Sequence, residues 1–130
     1  MTTPRLSRIL YVEDDADIQA IATLALESVG GFTVQVCSSG HEALKMASAF
    51  APDCILLDVM MPEMDGPSTY AALRALPGTA TTPVIFMTAK VQPAEVLLLQ
   101  DLGALGVIAK PFDAMTLADQ VRTLWMAAQT

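Results

Sequence analysis

Five short apolar runs punctuate the chain: RILYV at 8–12, FTVQV at 32–36, CILL at 54–57, PVIFM at 83–87 and GVIA at 106–109. β-Branched residues are common in them, and four are bounded by glycine, proline or an acidic cluster. Their apolar character is continuous rather than alternating, which predicts strands buried on both faces, as in a parallel sheet. Segments of helical length separate them. Residues 15–29 place Ile18, Ile21, Ala22, Ala25 and Val29 on one stripe, and Gly30-Gly31 stops the helix. Residues 39–50 carry Ala43, Leu44 and Ala47, with Pro52 just beyond. Residues 67–76 open on Pro67 after Gly66, and residues 93–102 open on Pro93 and precede Gly103. A last helix begins at Asp113, a good N-cap, and carries Leu117, Val121, Leu124 and Trp125. Strand and helix alternate throughout. Right-handed crossovers then give an α/β, doubly wound (βα)5 fold with helices on both faces of a parallel sheet. The chain shows no repeats, linkers or low-complexity stretches, so residues 1–130 read as a single domain.

Composition narrows the function. Hydrophobic residues make up 53% of the 130 residues, enough for a core without staples, while aromatics at 5% leave Leu, Ile, Val, Ala and Met to fill it. The methionines read as gap-fillers. The formal net charge is −7, and seven scattered Lys and Arg make no basic face, which argues against direct nucleic-acid binding. Cys37 and Cys54 stand next to strand-like runs at no metal-ligand spacing and read as buried thiols in a reducing compartment. The N-terminal apolar run is too short for a signal peptide and ends in acids. No run approaches the roughly 20 residues of a membrane helix. The expectation is a soluble, cytoplasmic protein with no membrane contact.

The chemistry collects where strands end. Ligands of open α/β sheets bind beyond the carboxyl ends of the strands. The first run delivers Glu13, Asp14 and Asp15, the third Asp58, the fourth Thr88 and the fifth Lys110, followed by Pro111. The second delivers only Cys37, Ser38 and Ser39. The first and third strands are expected to be central neighbours, which brings their acids together. Converging carboxylates raise one another's pKa unless a cation intervenes. An all-oxygen, highly charged set suits Mg²⁺. The set fits an aspartate that attacks phosphorus, with metal and lysine neutralising oxygen charge and a hydroxyl binding the transferred group. Each residue also has a plainer role. Asp58 alone reads as a solvated strand end, Thr88 as a loop cap and Lys110-Pro111 as a turn. Asp15 and Asp17 are best read as favouring a helix start through its dipole.

The motifs ILYVEDD, DCILLDVMMPEMDG, PVIFMTA and GVIAKPF together resemble the receiver domain of two-component response regulators, over about residues 7–125. The resemblance implies a flavodoxin-like sheet in the order 2-1-3-4-5. It implies that Asp58 accepts a phosphoryl group from a histidine kinase, a histidine phosphotransfer protein or a small acyl-phosphate donor. By the same resemblance, Asp14 binds Mg²⁺ directly, Glu13 through water, and the backbone carbonyl of Met60 is a further ligand. Thr88 corresponds to the hydroxyl that turns toward the phosphoryl group, and Lys110 to the lysine that pairs with it. The Lys110–Pro111 peptide is expected to be cis. Such a domain is a switch with self-catalysed phosphorylation and dephosphorylation, not a turnover enzyme. It changes the face made by the fourth helix, fifth strand and fifth helix, for a downstream target, an output domain, a homodimer mate or phosphorelay.

One position departs from the family. An aromatic residue often stands three positions before the lysine; here it is Val107. That keeps open a degenerate receiver acting only by protein contact. A phosphohydrolase of the haloacid-dehalogenase type wants an acid two residues after the nucleophile, where this chain has Met60. Lys90 and Met60 flank the expected path of the attacking water and should tune acyl-phosphate lifetime. The fourth helix has four consecutive apolar residues, Val96 to Leu99. Either part of that surface faces a partner or the helix is packed deeply under its neighbours. His41 is assigned no chemistry. The chain ends at Thr130, soon after the last helix, as either a stand-alone receiver or a piece of a longer protein would.

Overall fold

A computed structural model describes residues 5–129. Within them five strands, β1 (Arg8–Val12), β2 (Thr33–Cys37), β3 (Cys54–Asp58), β4 (Val84–Thr88) and β5 (Gly106–Ala109), form one parallel sheet in the order β2-β1-β3-β4-β5. The connecting helices are α1 (Ala16–Leu24), α2 (Gly40–Phe50), α3 (Gly66–Arg74), α4 (Pro93–Asp101) and α5 (Leu117–Ala127). This is the doubly wound architecture that the alternation of runs predicts. The side chains of α1 and α5 bury Ile9, Tyr11, Leu56, Ile85 and Met87 on one face. Those of α2, α3 and α4 bury Leu10, Val12, Ile55, Leu57 and Phe86 on the other. Successive strand residues thus feed opposite layers, which is why the runs are continuously apolar.

The pairing register aligns the carboxyl ends. Val12 lies opposite both Cys37 and Leu57, Asp58 opposite Met87, and Thr88 opposite Ala109. The residues that follow these positions therefore emerge at one edge of the sheet.

Burial on both faces holds for the central strands β3 and β4 and nearly for β1. It does not hold for β2 and β5, which are partly exposed because each forms an edge of the sheet. The first helix also departs from its expected stripe. Past Leu24 it continues as a π-helical turn, Ala25–Val29, with an extra residue per turn. That turn carries Leu26 into the core and leaves Val29 half exposed. Ile21 stands off the stripe and lines a surface hollow with Ile18, Ala89, Lys110, Pro111 and Phe112. The helix then stops at Gly31, whose φ of +75° is left-handed, as the glycine pair predicts.

The last helix starts later than Asp113. The Asp113 carboxylate accepts the Met115 N–H at 2.8 Å, and its carbonyl accepts those of Thr116 and Leu117. Asp113 thus caps a separate turn that leads into α5. On α4, Leu99 is buried while Leu97, Leu98 and Leu102 are exposed, so its apolar surface is left open rather than packed deeply.

Candidate functional site

Three chain segments meet at the carboxyl edge. Glu13 is held there by its backbone N–H, which donates to the Cys37 carbonyl at 3.0 Å and ties the end of β1 to β2. Asp58 is the last residue of β3. Lys110 follows β5 and donates its N–H to the Thr88 carbonyl at 2.9 Å. The Lys110–Pro111 peptide is cis. Glu13 and Asp58 are buried, at 1% and 2% exposure, while Asp14 beside them is exposed.

The Lys110 ammonium bridges the two buried acids, with Nζ 2.8 Å from Glu13 Oε1 and 3.2 Å from Asp58 Oδ1. Its partners stand 97 and 52 residues away in sequence, so only the folded sheet assembles the group. Burial pushes the Glu13 carboxyl above the ordinary range. The hydrogen bonds from Lys110 and the Asp15 N–H oppose that rise, and the Asp58 charge adds to it. Burial by itself lowers the Lys110 ammonium, but its hydrogen bond to Glu13 and the Asp58 charge outweigh it and hold the lysine above its usual value. Burial leads the rise at Glu13, while two carboxylates around one ammonium, a local excess of negative charge, raise Lys110.

That excess bears on a divalent cation. Glu13, Asp14 and Asp58 each offer a carboxylate oxygen, and these atoms lie within 4.8 Å of one another. Among the described residues these three carboxylates gather beside one ammonium, and every candidate ligand is oxygen. The donor set fits a hard cation such as Mg²⁺. Met60 lies two residues past Asp58 with its side chain 62% exposed.

Thr88 closes β4 and is buried, and its hydroxyl accepts the Lys90 N–H at 3.0 Å. In this state it serves as a cap on the loop after β4. Lys90 is exposed. Asp15 is the N-cap of α1, accepting the N–H groups of Asp17 and Ile18 at 2.9 and 3.1 Å, with Asp17 in the first turn. The helix-start reading of these two acids therefore holds. Val107 packs against the core under α3 and α4, as an aliphatic residue can.

Three supporting residues stand outside the set of site residues read from the sequence. The Gln19 amide donates to the Glu13 carbonyl and to Ser38 Oγ, fastening the acidic turn to the loop after β2. Asp65 caps α3 by accepting the Ser68 N–H at 2.8 Å. Gly66 donates to the Val59 carbonyl at 2.9 Å, and a Cβ on it would lie 2.5 Å from the Asp58 carbonyl oxygen. Only glycine lets α3 begin this close to the end of β3. The Asp-Gly-Pro sequence at 65–67 carried that signal, but the close approach appears only in three dimensions. Both cysteines are free and buried.

Comparison with known proteins agrees with this fold. A family profile described as the response regulator receiver domain matches residues 9–122. The transcriptional regulatory protein CseB of Streptomyces coelicolor is 36% identical over 118 residues, covering 91% of this chain and 49% of that protein. The DNA-binding response regulator MtrA of Mycobacterium tuberculosis is 37% identical over 115 residues, covering 88% and 49%. The chain thus spans about half the length of these curated relatives. Among solved structures, the chemotaxis response regulator CheY4 of Vibrio cholerae superposes with a TM-score of 0.84 at 28% identity, covering 92% of this chain and 99% of that one.

Proposed function

The chain belongs to the response regulator receiver domain family, and on that premise we propose that Asp58 is its phosphoacceptor, working with Mg²⁺. The observation that carries the reading is the Lys110 bridge between Asp58 and Glu13 beside a third carboxylate. Glu13, Asp14, Asp58 and the Met60 carbonyl would hold the ion. A bound Mg²⁺ supplies charge neutralisation at the phosphoryl oxygens.

The chain's own groups do the rest. An Asp58 carboxylate oxygen attacks phosphorus; the new O–P bond forms as the bond to the donor breaks, and the donor leaves with its electron pair. The Lys110 ammonium moves from Asp58 and Glu13 onto a phosphoryl oxygen. The Thr88 hydroxyl turns from its capping role and donates to another, drawing in the loop that carries Lys90. Val107 offers no ring to swing, so the signal leaves through that loop and α4. Exchanging Lys90 or Met60 for a small residue should change the dephosphorylation rate, and an unchanged rate would remove both from the path of the attacking water.

The donor is a histidine kinase, a histidine phosphotransfer protein or a small acyl phosphate. Output runs through the α4–β5–α5 face to a protein target, an output domain, a second copy or a further relay step. The domain spans residues 1–130, of which 1–4 and 130 lie outside the described residues. It acts in the cytoplasm and does not itself grip nucleic acid. The net charge of −7 supports the last point. Among the described residues no helix is long and apolar enough to cross a membrane.

The test is intact mass after incubation with Mg²⁺ and a small acyl phosphate, beside Asp58→Asn. The expected result is a phosphoryl adduct on the wild type alone. No adduct on the wild type would leave a module acting by protein contact only. Sustained phosphate release from generic phosphoesters would point to a hydrolase.

A further inference from the structure

The acidic turn after β1 is held on both sides of Glu13. Its N–H donates to the Cys37 carbonyl at 3.0 Å. Its carbonyl accepts from the side-chain amide of Gln19, and the same amide nitrogen donates to Ser38 Oγ at 3.1 Å. A carbonyl only accepts, so the amide turns its nitrogen toward Glu13 and has a second hydrogen left for Ser38. Gln19 lies on α1, one turn past the N-cap Asp15, whose carbonyl accepts the Gln19 N–H at 2.9 Å. Helix side chains lean toward the N-terminus, which lets Gln19 reach back six positions to Glu13.

That bond lands on a sensitive atom. The Glu13 carbonyl belongs to the planar peptide that joins Glu13 to Asp14. Fixing the plane fixes the direction in which Asp14 leaves the backbone. The other two carboxylates of the cluster are buried and bonded to Lys110, Glu13 at 2.8 Å and Asp58 at 3.2 Å. Asp14 is exposed, so its place within 4.8 Å of theirs depends on the turn that carries it. Repulsion among like charges works against that placement until a cation binds. The far anchor of the strap is itself tied to α2. The Ser38 N–H reaches Glu42 Oε1 at 3.4 Å, and Ser39 Oγ caps the helix by accepting the Glu42 N–H at 3.0 Å.

We propose that Gln19 is a positioning residue for the cation site: its amide straps the Glu13–Asp14 peptide to the loop after β2 and holds Asp14 where it can share an ion with Glu13 and Asp58. The proposal deepens the reading of that cluster as the Mg²⁺ site and rests on it. Gln19 acts through the peptide and is no ligand itself. It arranges in advance a turn that binding would otherwise have to order. Half-buried, the amide can trade its bonds for bonds to water, so its loss costs the fold little.

The test compares wild type with Gln19→Met, which keeps the length and helix preference of the side chain but has no donor. Mg²⁺ affinity, read by calorimetry without any phosphodonor, is expected to fall about tenfold, the low end of what losing outer-shell support costs. The metal-free melting midpoint is expected to move by no more than about two degrees. In phosphoryl uptake from a small acyl phosphate, the same factor should appear in the Mg²⁺ concentration at half-maximal rate rather than in the saturated rate. Ser38→Ala cuts one end of the strap. It should weaken Mg²⁺ binding less, and should add nothing in the Gln19→Met background. Unchanged Mg²⁺ affinity in Gln19→Met overturns the proposal, and a lower midpoint beside it marks a merely structural strap. A wild type that binds no Mg²⁺ overturns it as well, as does full additivity of the two substitutions. A wild type that binds Mg²⁺ yet gains no phosphoryl group removes the Asp58 reading instead, and the calorimetric comparison still decides the role of Gln19.

Discussion

The two ends of the sheet handle charge in opposite ways. At the amino end, Arg8 donates to the Phe50 carbonyl at 2.9 and 2.6 Å, with its guanidinium 4.1 Å from the Phe50 ring centroid. The Asp53 carboxylate accepts the N–H groups of Ser7 and Arg8 at 3.0 and 2.8 Å, and its carbonyl accepts the Trp125 indole at 3.2 Å. Each of these groups answers backbone or ring. At the carboxyl end, Glu13, Asp14 and Asp58 crowd around one lysine. Satisfied polar groups hold segments in register. Surplus carboxylates do not stabilise the fold; they store a demand for cations that ligand and chemistry can answer. The same sheet thus answers its charges at one end and gathers like charges at the other.

Changes at the two ends should separate these properties. The largest effect is expected from Lys110→Ala, which removes the ammonium that bonds Asp58 and should slow adduct formation about 100-fold, followed by intact mass over time. Gly66→Ala forces a methyl against the Asp58 carbonyl. It should cost about 2 kcal/mol in chemical denaturation and slow adduct formation as well. Arg8→Ala should cost about 1.5 kcal/mol through its lost hydrogen bonds while leaving the adduct rate unchanged. A matching loss of rate would mean that the two ends are not independent.

A further effect comes from pH. Burial first, and the Glu42 charge second, push the Cys37 thiol up to about 12. Burial does the same to Cys54, to about 12, with the Ile55 backbone opposing the rise in part. Unfolded thiols ionise near 9 while the folded ones keep their protons. Above pH 9 the unfolded state therefore binds fewer protons, and stability should fall as pH rises toward 12. A Cys37→Ala/Cys54→Ala variant should show a shallower fall, measured by urea midpoints across that range.

The carboxyl end was the more legible of the two from sequence. A buried strand such as CILLD announces itself by an unbroken apolar run, and an acid at its end stands out against it. Lys110 and Thr88 sit at the ends of similar runs, so topology alone brought these residues to one edge. What remained hidden depends on contacts between segments. The 2.5 Å approach of Gly66 to β3, the unpaired hydroxyl of Tyr11 and the Gln19 strap leave no local pattern. The π-turn that turns Val29 outward is equally invisible to a 3.6-residue stripe. The edge position of β2 and β5 follows from strand order, which a run of apolar residues does not encode.

The carboxyl end gathers negative charge in want of a cation. Thermal melting with and without Mg²⁺, for wild type and Asp14→Asn, tests it most directly. Wild type should gain in midpoint with added Mg²⁺, while Asp14→Asn should melt higher than wild type without the ion and gain little from it. A wild-type midpoint indifferent to Mg²⁺, or an Asp14→Asn midpoint below wild type in its absence, would contradict the claim.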